Sequence, residues 1–403
     1  MAAALQPMDV GVRSLGDHAP ACGAEAIERI ASAAAPVAGR RVLHVSAAGG
    51  GGSVPDLLGA LLPLAADAGI APEWCVLFGG PEVSTVSAQL RDGLQGAETA
   101  ISDSDWREYL DACASAADGI EHDLVVLHDP GTLGLAPALA DKRVIWRCHL
   151  DASRPDRPAW ELAHALAQSC EIVVPDGSFA PPDVEPLSAI APGIDPLSPR
   201  NLELAPRLAG RALRRLGLDL DQPSVSQLMR LDRWKDPHTA LEAFARVREE
   251  LPELQLVLGC ELDPEGFSAV KEITDYAEGQ ENLHLLTSYS GLGNLEIGAL
   301  NQISRVAIRL SLREGFGLAA SEALWRGTPV VGGREGGTPL QVRDEVDGYL
   351  ADGAEEVAAR VVELVTDPGL AIEMGRAGRG RVQERFLITR VLEDELRLLA
   401  TLQ

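Results

Sequence analysis

Lysine is nearly absent: Lys142, Lys235 and Lys271 are the only three in 403 residues. Arginine carries almost all of the positive charge, and Lys+Arg still total only 35 against 60 Asp+Glu, a net charge of −25. A field of that sign repels phosphate backbones and anionic membranes. Nucleic acid and membrane surfaces are therefore not expected as partners, and an anionic substrate would need a local basic pocket. Paired cysteines are lacking as well. Cys22, Cys75, Cys113, Cys148, Cys170 and Cys260 are scattered, with no C-x-x-C and no zinc spacing. That is the usage of free thiols in a reducing cytoplasm. No apolar run approaches about 18 residues, so no spanning helix is expected. Residues 1–40 are rich in Ala, Pro and Gly. They lack the basic start and apolar core of a leader peptide and read as a flexible arm.

What is present is an alternating α/β text. Hydrophobic residues make up 46% and charged residues 24%, ordinary globular values, and the length suits two domains of roughly 200 residues. Short apolar runs at Arg41–Ala47, Glu73–Phe78, Asp123–Leu127, Val144–Cys148 and Glu171–Val174 read as buried strands. Helical patterns near Val54–Asp67, Pro81–Leu94, Trp106–Ala117 and Pro158–Ala167 separate them. This rhythm predicts a parallel sheet covered on both faces. Seven prolines in Pro175–Asn201 interrupt it, and the linker is placed around Pro192–Asn201.

A second series follows. Its strands are expected at Ser224–Leu228, Gln255–Gly259, Asn282–Leu285, Val306–Leu310 and Pro329–Gly332, and its helices at Pro237–Glu250, Pro264–Glu278, Leu318–Arg326 and Ala354–Thr366. The expected domains are thus 41–200 and 201–381, both Rossmann-like and doubly wound, with a terminal helix in 382–403 packing back on the first. Ligands of such sheets lie beyond the carboxyl ends of the strands, here in a cleft between the halves.

Four segments carry chemistry. Ser311–Trp325 (SLREGFGLAASEALW) is a strand end, a glycine loop and a helix start near Leu318. Unpaired N–H groups and the helix dipole make such a start an anion site. Gly315 and Gly317 permit close approach of backbone to phosphate. Glu314 and Glu322 are placed to accept hydrogen bonds from hydroxyls of the same ligand. Met229–Pro237 (MRLDRWKDP) puts Arg230 and the rare Lys235 at the carboxyl edge of the first strand of the second domain. There a compact ammonium suits a phosphate. Ala48–Ser53 (AGGGGS) follows the first strand, but G-x-G-x-x-G fails, because Pro55 or Val54 stands at the third glycine position. His128-Asp129-Pro130 and Trp146–Ser153 (WRCHLDAS) each follow a strand of the first domain, so His128, Asp129, His149 and Asp151 are candidates for the same cleft. Asp103–Asp105 reads as a helix cap, and no metal site is expected.

At these residues the chain resembles glycosyltransferase family 4, a GT-B family of retaining enzymes, and within it the trehalose-forming synthases. The likeness runs from about Arg41 to the C-terminus. It rests on HVSAAGGGGSVPDLLGALLPLAADAG, LHDP, WRCHLDAS, PGIDPLSPRN, MRLDRWKDP, SLREGFGLAASEALWRGTPVV and GGTPLQV. The segment before LHDP is shortened, and Gly332–Glu335 carries the charged pair Arg334–Glu335. The resemblance implies transfer of a hexose from a UDP-, ADP- or GDP-sugar to a small sugar acceptor. If the acceptor is glucose, the product is α,α-trehalose.

Arg230 and Lys235 would hold the diphosphate. Gly315, Phe316, Gly317 and Leu318 would present backbone near it, Glu314 would take a donor-sugar hydroxyl and Glu322 the ribose. His149 would sit at the reacting centre, Gly51 and Gly52 beside the donor, and Asp129 and Asp151 at the acceptor. No cofactor beyond the nucleotide sugar is implied, and a homodimer is compatible with the family. An aminosugar or cyclitol acceptor, or a nucleotide-sugar-binding protein without catalysis, remains open on these residues.

Overall fold

The structure, a computed structural model, describes residues 3–231, 234–262, 267–280 and 282–402. The chain forms two compact units, Met1–Gly193 with Leu387–Gln403, and Ile194–Phe386.

The first unit is built on a seven-stranded sheet of order β1-β3-β2-β4-β5-β6-β7. Its strands are β1 (Ala4–Met8), β2 (Arg41–Ser46), β3 (Ala71–Phe78), β4 (Leu124–His128), β5 (Arg143–Arg147), β6 (Glu171–Val174) and β7 (Ser188–Ala189). Every pairing is parallel except β1 with β3. Valine, leucine and isoleucine fill both faces of the central strands, as two-sided burial requires. Leu43, Val45, Val125, Leu127 and Trp146 enter one core, while Val42, Val126 and Ile145 enter the other.

The second core takes in the residues expected to form a flexible arm, and that expectation is corrected here. Residues 4–8 form an edge strand in register with β3, from Ala4 opposite Phe78 to Met8 opposite Trp74. Helix Ala24–Ala34 buries Ala26, Ile30 and Ala34. It shares a core with Val391, Leu392 and Leu396 of the C-terminal helix Ile388–Thr401. Arg29 pairs with Glu393 at 3.1 Å, and Arg40 donates to the carbonyls of Leu399 and Leu402, both at 2.6 Å. The i, i+4, i+8 stripe is apolar and Glu25, Glu28 and Arg29 stand off it, so the helix is amphipathic; the alanine-rich composition of the segment masked that period.

The C-terminal helix is also shorter than the expected 382–403. Helix Pro368–Arg385 ends in the second unit, and Ile388–Thr401 starts afresh after Phe386–Leu387.

The second unit carries a six-stranded, wholly parallel sheet of order β10-β9-β8-β11-β12-β13. These strands are β8 (Ser224–Leu231), β9 (Gln255–Leu262), β10 (Leu283–Thr287), β11 (Val306–Arg309), β12 (Val330–Gly332) and β13 (Gly348–Leu350). Helix Pro237–Glu250 starts where expected, because Asp236 accepts from the Thr239 N–H and a proline occupies the first turn. The start expected at Pro264 for the next helix lies outside the described residues, as do Asp232 and Arg233 of the MRLDRWKDP segment. Helices Pro206–Arg215 and Asn294–Ile303, unread in the sequence, pack against each other in a separate small core.

The chain crosses into the second unit at Gly193–Ile194, inside the expected linker. The stretch after the crossing is not loose. The Asn201 side-chain amide donates to Asp195 O and Ser198 Oγ, both at 3.0 Å, and the Asn201 backbone carbonyl accepts from Trp325 Nε1 at 3.3 Å. The domain boundary at 200 therefore moves back to 193. The Ile194 N–H donates to the Phe386 carbonyl at 2.8 Å, so the chain enters and leaves the second unit side by side.

Candidate functional site

In the second unit, the loops that follow β8 and β11 meet. Lys235 forms an antiparallel bridge with Ser311, and Leu312 N–H donates to Trp234 O at 2.7 Å. Lys235 Nζ forms a short ion pair with Glu314 and lies 3.3 Å from Ser311 Oγ. Ser311 Oγ in turn donates to Glu314 Oε2 at 3.0 Å. These three side chains line a small open pocket with Gln227, Met229, Arg309, Gly317, Ala319, Ala320 and Thr338. The other two lysines lie elsewhere, Lys142 beside Asp141 and Lys271 beside Asp275.

The loop between Glu314 and Gly317 is shaped by close packing. Gly317 has φ +66°, and a Cβ there would run into the Glu314 carboxylate. Gly336 has φ +71°, with Glu314 backbone at 3.2 Å from the position of a Cβ. A methyl on Gly337 would overlap the Phe316 carbonyl oxygen. Fully buried Gln341 then ties the loop down. Its Nε2 donates to Phe316 O (2.6 Å), Gly317 O (2.9 Å) and Gly337 O (3.1 Å). Its Oε1 accepts from Ser321 N–H (2.9 Å) and Ser321 Oγ (2.6 Å). Gln341 thus consumes one N–H of helix Ala319–Trp325, whose first residues Ala319 and Ala320 line the pocket. The glycines around this loop were legible, but Gln341, inside the GGTPLQV string, was not.

Arg309 is a further cation that the sequence reading missed. Its guanidinium is buried and donates to the carbonyls of Ala319 (3.1 Å), Ser226 (3.1 Å) and Ile308 (2.7 Å) and to Asn301 Oδ1 (2.9 Å). Burial lowers its pKa to about 10, with Glu322 and Glu314 pulling it back up, so it stays charged at neutral pH. Gln227 also lines this pocket, and its amide oxygen is buried without a protein partner.

The remaining expected residues of this unit are spread more widely. Arg230 is exposed, opposite Glu261 of β9 and outside the pocket lining. Glu322 is buried, not solvated, with Arg200 Nη1 3.7 Å away. Arg200 also reaches Glu261 (2.5 Å) and Asn294 (3.0 Å). Phe316 is buried against the ring of Phe386. Arg334 makes ion pairs with Asp344, Asp352 and Glu356.

In the first unit, His149 stands two residues beyond β5, its Nε2 3.0 Å from His128 Nδ1. Burial holds both imidazoles well below the usual histidine range. Cys148 between the strand and His149 is buried, its thiol pushed up to about 12 by burial. Asp129 adopts φ +65° and ψ +166°, a region that costs a non-glycine residue of order 1–3 kcal/mol and concentrates at functional sites. Asp151 is buried and accepts from Ser153 N–H (3.0 Å) and Ser153 Oγ (2.6 Å). Gly51 and Gly52 have φ of +70° and +106°, and Gly52 caps helix Ser53–Asp67. Asp103–Asp105 proves to be the first turn of a helix capped by Ser102. Among the described residues, no group of three or more His, Cys, Asp or Glu side chains is arranged to hold a metal.

Comparison with known proteins places this geometry. Residues 44–179 match the family model for the trehalose synthase N-terminal domain, and residues 211–381 match that for group 1 glycosyl transferases. The trehalose synthase of Rubrobacter xylanophilus is 37% identical over 99% of both chains. That of Pyrococcus horikoshii is 32% identical over 97% of both.

The chain belongs to the trehalose synthase family.

It is a glycosyltransferase acting on sugars, a hexosyltransferase. Its fold is GT-B. Sucrose-phosphate synthase of Thermosynechococcus elongatus superposes with a TM-score of 0.67 at 18% identity, covering 90% of this chain and 99% of that one. A trehalose-6-phosphate enzyme of E. coli, solved with UDP-2-fluoro glucose, gives 0.69 at 15% identity over 89% of this chain and 99% of the other. In this glycosyltransferase GGTPLQV and SLREGFG of the second unit and LHDP and WRCHLDAS of the first fall within the matched regions, while PGIDPLSPRN lies between them.

Proposed function

We propose that the enzyme transfers glucose, with retention at the anomeric carbon, from a nucleoside diphosphate glucose to free glucose, giving α,α-trehalose. The observation that carries the donor half is the Lys235–Ser311–Glu314 cluster around one pocket, with buried Arg309 beneath it. A compact ammonium with a second positive charge close by is suited to a diphosphate, and the Glu314 carboxylate to hydroxyls. Full-length likeness to trehalose synthases supports the acceptor half.

The chemistry assigned to these residues is stabilisation of the departing diphosphate, where negative charge grows in the transition state. The bond from the anomeric carbon to the phosphate oxygen breaks, and the bond to the acceptor oxygen forms on the same face. The acceptor's proton passes to the leaving phosphate oxygen. His149 acts on the sugar at the reacting centre, Arg230 supplements Lys235, and Glu322 takes the ribose. Asp129 and Asp151 are assigned to the acceptor. The nucleotide sugar is the only co-substrate this reading requires.

The test is a matrix of UDP-, ADP- and GDP-glucose against glucose, aminosugars and cyclitols, with products separated by mass spectrometry and the linkage read by NMR. Trehalose from at least one donor is expected. No trehalose with any donor, alongside transfer to another acceptor, rejects the product. Binding of a nucleotide without hydrolysis or transfer rejects the reaction.

A further inference from the structure

Three imidazoles cross the first sheet in a line. His44 on β2, His128 on β4 and His149 beyond β5 come from strands adjacent in the order β2-β4-β5. His44 Nδ1 lies 3.1 Å from His128 Nε2, and His128 Nδ1 lies 3.0 Å from His149 Nε2. The rings meet end to end, with centroids 5.4 and 5.3 Å apart and planes inclined by 27° and 13°. Strand alternation puts His44 and His128 on the face that also carries Arg147, whose guanidinium is buried and ion-paired with Glu395 of the C-terminal helix. Arg390 and Asp394 of that helix lie close enough to Arg147 to act on it electrostatically. Burial first, then the neighbouring imidazoles at His128 and Arg147 at all three, hold the rings below the usual histidine range.

A neutral imidazole offers one N–H and one lone pair. Each hydrogen bond in the line needs one of each, so all of its protons must point the same way. In one sense His44 donates to His128 and His128 to His149, and the proton of His149 sits on the outer Nδ1. In the other sense the protons run from His149 toward His44, and the outer Nδ1 of His149 is a lone pair. Ring orientation and tautomer at His149 are therefore tied to side chains 21 and 105 residues away in the sequence. A sugar hydroxyl can donate or accept, so a fixed character at Nδ1 decides which of the two it does.

We infer that His44 and His128 are positioning residues, whose hydrogen bonds fix the ring plane and tautomer of His149 for its contact with the sugar. The inference rests on the assignment of His149 to the reacting centre made above. It also explains why a sheet interior should carry two histidines where β-branched residues would pack better.

The test uses the full-length enzyme with 15N-labelled histidine and no substrate. Long-range 1H–15N correlation reads each tautomer, and a His149→Gln variant identifies the His149 signals. Wild type should show one neutral tautomer at His149 between pH 6 and 8 (about, given the ordinary histidine range). His44→Phe and His128→Phe should each give a mixture of tautomers at His149. His128→Phe should lower kcat by roughly tenfold with KM for the nucleotide sugar within about twofold, a loss felt at the transition state and not in binding. His128→Asn, whose amide nitrogen overlays Nδ1, should recover most of that rate. If His128→Phe does not fold, His44→Phe alone carries the test. An unchanged single tautomer in His44→Phe, or a mixture already in wild type, overturns the proposal. If the tautomer responds and kcat does not, positioning stands and the assignment of His149 to the sugar falls.

Discussion

The two units build their candidate sites by different means. In the second, the loops after β8 and β11 and the segment around Gly336 are fixed by backbone. Glycines admit carbonyls at distances no side chain would tolerate, and Gln341 spends its amide on main-chain groups. In the first, neighbouring strands place side chains that then hold one another, His44 to His128 to His149. A backbone-built site suits an invariant group such as a diphosphate, whose oxygens are met by N–H groups and fixed charges. A side-chain-built site is easier to vary, and is where acceptor choice is expected to reside.

The strongest way to break this contrast is Gly337→Ala. A methyl there has no room beside the Phe316 carbonyl, so either Gly336–Gly337 or the Glu314–Gly317 loop must move. Activity should drop below detection, with stability lowered by about 2–4 kcal/mol, in the range of backbone clashes in a packed interior. Denaturant unfolding and initial rates measure both.

Gln341→Ala comes next. It removes the partner of the Phe316 and Gly317 carbonyls and of the Ser321 N–H, while the Gly337 carbonyl keeps the Leu340 N–H, a loss of about 2–3 kcal/mol, with turnover reduced further than nucleotide binding. Equal losses would show that Gln341 supports the fold and not the loop geometry.

Ile30→Ala, in the N-terminal helix, should cost about 2–4 kcal/mol from the cavity it leaves, yet preserve kcat well below the melting temperature. A matching loss of kcat would tie the N-terminal segment to the site.

The imidazole line sets a pH dependence. Burial lowers the His44 pKa from 6.5 to about 3, and the His128 and His149 values move the same way. The unfolded chain therefore binds protons near pH 6.5 that the folded chain refuses. Stability is full above that value and falls as pH drops from 6.5 toward 3, by on the order of 1 kcal/mol per pH unit for each ring. The His44→Phe variant should show a shallower slope in acid denaturation. The smallest effect is expected from Arg334→Ala. Its three carboxylate partners are all solvent-exposed, so stability should change by about 0.5 kcal/mol or less.

Most of the architecture was legible because strands β2 to β6 and β8 to β12 are dense in Val, Leu and Ile and separated by capped helices. Their observed bounds fall within a few residues of the expected ones. The N-terminal segment was not legible. Its buried stripe is Ala26, Ile30 and Ala34, and alanines on a helix face look the same buried or exposed. Lys235, Glu314 and Gly317 could be placed at one site because each follows a strand end at a glycine or proline loop. Arg309 could not, since a charged residue closing an apolar strand gives no sign of pointing inward. Of the histidine line, His128 and His149 were read as neighbours because each follows a strand of the first domain, but His44 was not. It joins them only through the strand order β2-β4-β5, which no local pattern encodes.

Under the proposed function Lys235 serves the departing diphosphate. Pairing the transfer rate of Lys235→Ala with its thermal midpoint tests this role. A loss of kcat/KM of about 100-fold or more is expected, with a midpoint within a few degrees of wild type. Near-normal transfer in a folded Lys235→Ala enzyme would rule the role out.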